Sequence, residues 1–105
     1  MVNDILTASG IPYRKTRFLK PPAGTYAVYT DHITTDGPDG IPALLYHGIT
    51  IELYTAVPEP EAEKAIENAL ISHGVQFEKQ DAFWLQKEQR YQIAYDFEYI
   101  EKRRI

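Results

Sequence analysis

Hydrophobic residues recur at helical spacing in two parts of the chain, which predicts two helices. Val2, Ile5 and Leu6 form the first run, which stops at Ser9 and Gly10. The second helix is predicted from residue 58, because prolines and carboxylates suit a first helical turn. Its buried side is predicted to consist of Ala62, Ala65, Ile66, Ala69 and Leu70.

Alternation of apolar and polar residues predicts four strands. The first covers residues 25–30, which are rich in β-branched and aromatic side chains, and the second ends near residue 55. A third strand is expected over residues 75–85 with a bend in its middle. The last strand has the clearest alternation, with one side formed by Tyr91, Ile93, Tyr95, Phe97 and Tyr99.

Two further stretches are less regular. Residues 13–20 are basic and precede two prolines, which is consistent with a short edge strand or a covering loop. Residues 31–42 are polar and rich in turn formers, so we expect a loop longer than most hairpin connections. Its central residues are Asp36, Gly37, Pro38 and Asp39.

The predicted order is α-β-β-α-β-β, which indicates a single α+β domain over residues 1–105, with a four-stranded antiparallel sheet and both helices on one face. Four strands make a sheet about 19 Å wide, and two helices of about 10 Å each cover one face of it. The other face is expected to be open and to hold Tyr46, Tyr54 and Trp84 among polar residues. Such a mixture is typical of protein–protein interfaces. The alternative is an ordinary amphipathic surface, or one covered by residues 13–20.

Composition and charge exclude several classes of function. The 105 residues contain 15 acidic and 11 basic side chains, for a net charge of -4, which disfavours binding to nucleic-acid phosphates. The absence of cysteine removes disulfides, thiolate nucleophiles and Cys-ligated metals. No apolar run approaches the roughly 20 residues that span a bilayer, and the N-terminus does not resemble a signal peptide, so we expect a soluble protein with no membrane partner.

Histidines are the first candidates for catalysis, but each has a simpler interpretation. His32 is expected in a solvated loop, His47 at the margin of the core with a hydrogen-bonded structural role, and His73 in a helix cap. An enzyme that pairs His32 or His47 with a carboxylate is the least favoured hypothesis. We therefore predict no catalytic residues.

Metal and cofactor motifs are also missing from the sequence. Asp31, Asp36 and Asp39 do not match the spacing of a calcium-binding loop, and the glycines form no phosphate-binding fingerprint. We predict no metal and no cofactor. The simplest interpretation of Arg14 and Arg17, next to aromatic residues, is a solvated face, and among specific functions they fit a contact with an acidic neighbouring subunit.

Several segments together resemble small tail proteins of phages and prophages of Gram-positive bacteria, in the tail-terminator or tail-completion group. They are Pro21 and Pro22 before the strand TYAVY, the polar loop, the strand ITIELYT, the helix EAEKAIENAL and the terminal segment FEKQDAFWLQKEQRYQIAYDFEYI. The similarity covers about three quarters of the chain and rests on the order of elements rather than on a catalytic motif.

The resemblance implies a non-enzymatic subunit of a ring, typically hexameric, that caps the tail tube and joins the tail to the head. Its partners would be copies of itself, tail-tube proteins and head-connector proteins, with DNA only passing through the ring. It would be found in the host bacterial cytoplasm during assembly and in the virion tail. The loop at residues 36–39 would face the tube or lumen. The alternative is a ferredoxin-like module that binds a ligand or a protein.

Overall fold

A computed structural model of the protein describes residues 1–40 and 43–103, apart from the side chain of Asp39. It has two helices and six strands, with a short 3-10 turn between the second and third strands. The helices are α1 (Val2–Ser9) and α2 (Pro60–Ser72). The strands are β1 (Tyr13–Lys15), β2 (Tyr26–Asp36), β3 (Leu44–Thr55), β4 (Glu78–Lys79), β5 (Phe83–Leu85) and β6 (Arg90–Lys102), and the turn is Pro38–Gly40.

The sheet is mixed and six-stranded, so the prediction of a four-stranded antiparallel sheet is wrong, although the α+β class remains compatible. β1 pairs in parallel with β2, while β2, β3 and β6 form antiparallel neighbours. β4 and β5 pair separately with β6. The predicted third strand is thus two short strands, because its sequence bends at residues 80–82 and contacts β6 only on either side of the bend.

β2 is longer than the sequence pattern predicts. Residues 31–36 continue the strand, and each of them is paired with β3, ending at Asp36 opposite Leu44. The expected loop over residues 31–42 is therefore wrong for its first half. The prediction missed this part because a strand exposed on both faces carries no apolar alternation.

Both helices pack against the same face of the sheet and form its core. The helical contribution comes from Val2, Ile5, Leu6, Ile66, Ala69 and Leu70, and the sheet contributes Ala27, Tyr29, Ile49, Ile51, Leu53, Ile93, Tyr95 and Phe97. Both predicted helices are confirmed. α1 ends at Gly10, which adopts a left-handed φ of 74°, and His73 caps α2 through a bond of 2.8 Å between its Nδ1 and the carbonyl oxygen of Ala69. Within residues 1–40 and 43–103, neither helix has the length and hydropathy needed to cross a bilayer.

The sheet extends beyond the helices at one end. The core residues of β3 are Ile49, Ile51 and Leu53, whereas the strand itself begins at Leu44. The molecule measures 50 × 28 × 22 Å because these long strands project past the helical layer. We define the outer sheet as residues 30–36, 44–50 and 96–102, and the inner sheet as the remainder.

Candidate functional site

The inner sheet is covered on the face opposite the helices. The ring of Phe18 packs edge-on against Tyr26, with ring centres 5.3 Å apart. The guanidinium of Arg90 lies 5.1 Å from the centre of the Tyr26 ring and donates hydrogen bonds to three backbone carbonyls. These carbonyls belong to Pro22 (3.1 Å), Ala23 (2.7 Å) and Gly24 (2.8 Å). Segment 17–24 is therefore held across this half of the face.

Tyr54, predicted at an open interface, belongs to this covered part. Its ring stacks on Tyr26, with ring centres 5.0 Å apart, and its hydroxyl accepts a hydrogen bond of 2.9 Å from Gln92. Burial raises the pKa of Tyr54 above its ordinary value. Tyr54 is half-buried and already has partners within its own chain.

The outer sheet is open on the same face. Tyr46 is 37% exposed and lies beside Gly48, which pairs with His32 on one side and Glu98 on the other. Because Gly48 has no side chain, the surface of the sheet is depressed between the side chains of His32 and Glu98. A groove of about 580 Å³ results, and it is lined by His32, Thr34, Tyr46, Gly48, Glu98, Ile100 and parts of His47 and Tyr99. His32 thus lies on a strand rather than in the predicted loop.

Trp84 and the two arginines lie away from this groove. Trp84 pairs with Tyr91 and packs against its ring, with ring centres 4.8 Å apart. Tyr91 has the same parity as the core residues of β6, so Trp84 lies on the helical face and not with Tyr46 as predicted. Arg14 and Arg17 are exposed at the β1 edge of the sheet. The five predicted interface residues therefore do not form one surface.

The predicted lumen loop lies at the far end of the β2–β3 hairpin. Asp36 is the last residue of β2, Gly37 follows it, and Pro38 begins the 3-10 turn. The backbone of Asp39 is in this turn, whereas its side chain and residues 41–42 lie outside the described part of the chain. The turn projects from the outer sheet, farthest from the helices.

The outer edge of β2 presents unpaired backbone groups. At its inner end, the N–H of Ala27 donates to Pro12 and the C=O of Tyr29 accepts from Thr16, so these groups point away from β3. Because this orientation repeats every second residue, the N–H and C=O groups of Asp31 and Ile33 also point outward. No backbone group in residues 1–40 and 43–103 bonds to the outward groups between residues 31 and 35.

The outer edge of β6 is free in the same way. The C=O of Ala94 accepts a bond of 2.8 Å from the N–H of Gln80, so even-numbered residues of β6 point away from β3. Beyond β4, the outward groups of Glu98 and Ile100 have no partner among the described residues. Ile100 is 57% exposed, and Ile33, on the opposite edge of the outer sheet, is 45% exposed. Sequence reasoning missed both edges, because the strand lengths that create them were underestimated.

A buried histidine connects the three long strands of the outer sheet. His47 on β3 is 6% exposed, and its ring stacks on Tyr99 with the ring centres 4.3 Å apart. Its Nδ1 lies 3.0 and 2.9 Å from the two carboxylate oxygens of Asp31 on β2. Its Nε2 lies 2.9 Å from Oε1 of Glu101 on β6. The predicted hydrogen-bonded structural role of His47 is confirmed.

The two carboxylates favour the protonated form of His47. Burial by itself lowers the pKa of His47, but the hydrogen bonds to Asp31 and Glu101 outweigh it and raise the pKa above 6.5. The bond from His47 lowers the pKa of Glu101 below 4.5. In the protonated form both ring nitrogens donate to carboxylates, and this form has no lone pair with which to accept a further proton.

Metal binding finds no support in residues 1–40 and 43–103, where no group of three or more His, Asp or Glu side chains is arranged to hold an ion. No protein-family model and no curated protein sequence matches the chain. The most distinctive features are therefore structural: an open groove, two free sheet edges, and a charged cluster that ties the intervening strands together.

Proposed function

We propose that the protein is a non-enzymatic assembly subunit of a phage or prophage virion, which forms a ring as a tail-terminator or tail-completion protein at the head–tail junction. The observation that carries the proposal is the pair of free edges on the outer sheet. They lie on opposite sides of the molecule and have different sequences. Exposed strand edges are templates for pairing with another chain.

Two unlike edges on one molecule favour a ring. A contact that joins the β2 edge of one copy to the β6 edge of the next is heterologous, so each added copy leaves the same two edges free. Such a series closes into a ring when the rotation between copies divides a full turn. The hexamer that the sequence resemblance implies is one closed form of this kind.

The further partners follow from the same resemblance. The proposed ring contacts a tail-tube protein on one side and a head-connector protein on the other, first in the host bacterial cytoplasm and then in the virion tail. The turn at residues 38–40 projects from the outer sheet, which is consistent with a contact towards the tube or lumen.

Proline substitutions at the two edges test the proposed contact. Ile33→Pro and Ile100→Pro each remove one outward N–H while leaving the bonds to β3 intact, and proline is tolerated on edge strands. We expect both variants to remain folded by circular dichroism but to lose self-association in light scattering. Ile33→Ala is the matched control, because it shortens the side chain and keeps the N–H.

The outcomes separate a backbone contact from other contacts. Retained association in Ile33→Ala and lost association in Ile33→Pro support pairing through the edge. Undiminished association in both proline variants contradicts it. Thr34→Pro shows what a proline does at an inward position. The N–H of Thr34 points towards β3, so removing this N–H should lower the free energy of unfolding.

A ligand-binding or protein-binding module is the second candidate, and the open groove favours it. The groove of about 580 Å³ combines an aromatic and an aliphatic side chain, Tyr46 and Ile100, with the polar groups of His32 and Glu98. This function predicts a fixed dimer or tetramer whose mass does not depend on the edge N–H groups. A dimer that persists in Ile33→Pro and Ile100→Pro favours this candidate over the ring.

A further inference from the structure

The two carboxylate contacts of His47 require a proton on both of its ring nitrogens. Nδ1 lies 3.0 and 2.9 Å from the oxygens of Asp31, and Nε2 lies 2.9 Å from Oε1 of Glu101. A neutral imidazole has one N–H and one lone pair, so it can donate to only one of the two carboxylates. Loss of the proton therefore breaks one contact and leaves a lone pair facing a carboxylate.

The two carboxylates differ in how easily each can give up this bond. The side chain of Asp31 is 13% exposed, whereas that of Glu101 is 43% exposed and can bond to water instead. Glu101 also has a second partner, because Nε of Arg103 lies 3.5 Å from its Oε2. The neutral imidazole is therefore expected to keep its N–H on Nδ1, bonded to Asp31, and to release Glu101.

The released contact lies at the outer end of β6, which carries one of the two free edges. Past β4, the strand neighbour of β6 in the described part of the chain is β3 alone. The amides of Tyr99 and Glu101 point towards β3, opposite His47 and Leu45. Their hydrogen bonds therefore report whether this end of β6 stays paired.

Near neutral pH, the group in this cluster that changes charge is the imidazole. Burial lowers the pKa of His47, but its bonds to the two carboxylates outweigh burial and raise the pKa above 6.5. The protonated form is therefore complete below pH 6.5 and is lost as the pH rises through the folded value. Burial raises the pKa values of the neighbouring phenols above 10, so they stay neutral. The groups around the imidazole are Asp31 and Tyr29 on β2, Tyr99 and Glu101 on β6, and Arg103 after β6.

We infer that protonated His47 holds the outer end of β6 in place for pairing with another copy, and that loss of its proton releases Glu101 and loosens this edge. The effect on assembly rests on the proposed ring, to which this switch adds a control by pH. β2 keeps its bond from His47 through Asp31 in both states, so the switch acts on one of the two edges. Assembly is expected to be strongest in mildly acidic solution and to weaken as the pH rises.

Nitrogen NMR of the imidazole ring tests which bond is released. The titration runs from about pH 6 to about pH 9, which covers a histidine whose pKa is raised above 6.5. We expect both ring nitrogens of His47 to carry a proton at the lower end and Nδ1 alone to carry one at the upper end. A neutral form with its proton on Nε2 would overturn the inference, because Asp31 would then be the carboxylate that is released.

Amide hydrogen exchange at the same pH values tests the loosening of β6. Protection factors are compared, since they correct for the intrinsic dependence of exchange on pH. We expect protection of Tyr99 and Glu101 to fall by about tenfold as His47 loses its proton. His32 and Thr34 are the internal reference, because their amides bond to β3 from the β2 side and should change much less.

Glu101→Gln removes the switch while keeping a contact with the ring. The side-chain amide can accept a hydrogen bond from the imidazolium and can donate one to the neutral imidazole, so it bonds to both forms. We expect protection of the Tyr99 amide in this variant to be nearly independent of pH. His47→Gln, which has no titrating ring, should behave in the same way. His32→Gln is the matched control on the open face and should keep the pH dependence of the wild type.

Light scattering over the same pH range separates the switch from the ring. Self-association that weakens with rising pH in the wild type, but not in Glu101→Gln, supports the switch. Association and β6 protection that do not change with pH overturn the switch and leave the ring in place. Protection that falls equally in β2 and β6 also overturns it, because the whole cluster then opens. A protein that is monomeric at every pH but shows the selective loosening of β6 contradicts the proposed ring and not the switch.

Discussion

The Nδ1 atom of His47 lies 2.9 Å from Oδ2 of Asp31, on a strand 16 residues earlier in the chain. The two residues are diagonal neighbours, because His47 pairs with Ile33 and Asp31 pairs with Ile49. The same imidazole also forms a hydrogen bond with Glu101 on β6. One side chain thus connects β3 to β2 and β6, the two strands that carry the free edges.

Replacement of His47 by alanine is expected to destabilise the fold. The change leaves the carboxylate of Asp31, which is 13% exposed, without its partner and removes the stacking on Tyr99. We expect a loss of about 2–3 kcal/mol in the free energy of unfolding, measured with urea. His32→Ala is the control on the open face, with an expected change within about 0.5 kcal/mol. Equal effects of the two substitutions would contradict the structural role of His47.

The stabilising effect of His47 is expected to depend on pH. Its pKa is raised above 6.5 in the folded state, so its contribution is complete below pH 6.5 and is lost as the pH rises through the folded value. Glu101 has a pKa lowered below 4.5, so its contribution is present above pH 4.5 and is lost as the pH falls through the folded value.

The stability difference between wild type and His47→Gln should therefore be largest between pH 4.5 and 6.5 and should decrease in alkaline solution. Urea unfolding of both proteins across this range measures it. A difference that grows with pH above 6.5 would show that the neutral imidazole is the stabilising form.

A second buried polar contact joins the sheet to α2. The hydroxyl of Tyr95 donates to Glu67 at 2.8 Å, and Lys79 lies 2.9 Å from the same carboxylate. Burial raises the pKa of Glu67, but the bonds from Lys79 and Tyr95 outweigh it and lower the pKa below 4.5. Burial also raises the pKa of Tyr95 well above its usual range.

Tyr95→Phe should lower stability by about 1–2 kcal/mol at neutral pH, because Glu67 loses a hydrogen-bond donor. The loss should shrink as the pH falls through the lowered pKa of Glu67, where the carboxylate becomes protonated. Tyr46→Phe serves as the exposed control, with little expected change. A Tyr95→Phe protein as stable as the wild type at pH 7 would refute this role.

Arg90 is expected to hold segment 17–24 against the sheet. A lysine at this position keeps the charge but cannot donate to three carbonyls from a planar group. We expect amide hydrogen exchange in segment 17–24 to become about tenfold faster in Arg90→Lys, since the opening free energy falls by about 1–2 kcal/mol. Arg103→Lys is the control at an exposed arginine. Unchanged exchange in Arg90→Lys would mean that other contacts hold the segment.

The sequence predicted the parts of the fold that have strong periodicity. Both helices and the cores of β2, β3 and β6 follow from the positions of residues such as Ile66 and Ile51, because burial on one side leaves a regular pattern. The short strands β4 and β5 were merged into one, since two or three residues carry no period, and β1 was predicted only as one of two alternatives, a short edge strand or a covering loop. The outer half of β2 was missed because neither of its faces is buried by a helix.

The candidate site was less predictable than the fold. The structural role of His47 was predicted from its place at the margin of the core, but its partners depend on strand register, which pairs His47 with Ile33 and with Tyr99. Trp84 was placed on the wrong face because β5 is separated from β4 by a bend that resets the alternation. The free edges depend on where β1 and β4 end, and the sequence has no marker for these ends.

Copies of this chain are proposed to assemble into a closed ring, and the molar mass of the wild type in solution is the decisive measurement. Light scattering over about 1 µM to 1 mM covers contacts of roughly -8 to -4 kcal/mol. We expect a mass that rises from 12.1 kDa to a plateau at a whole multiple near six. A mass of 12.1 kDa at every concentration would contradict it.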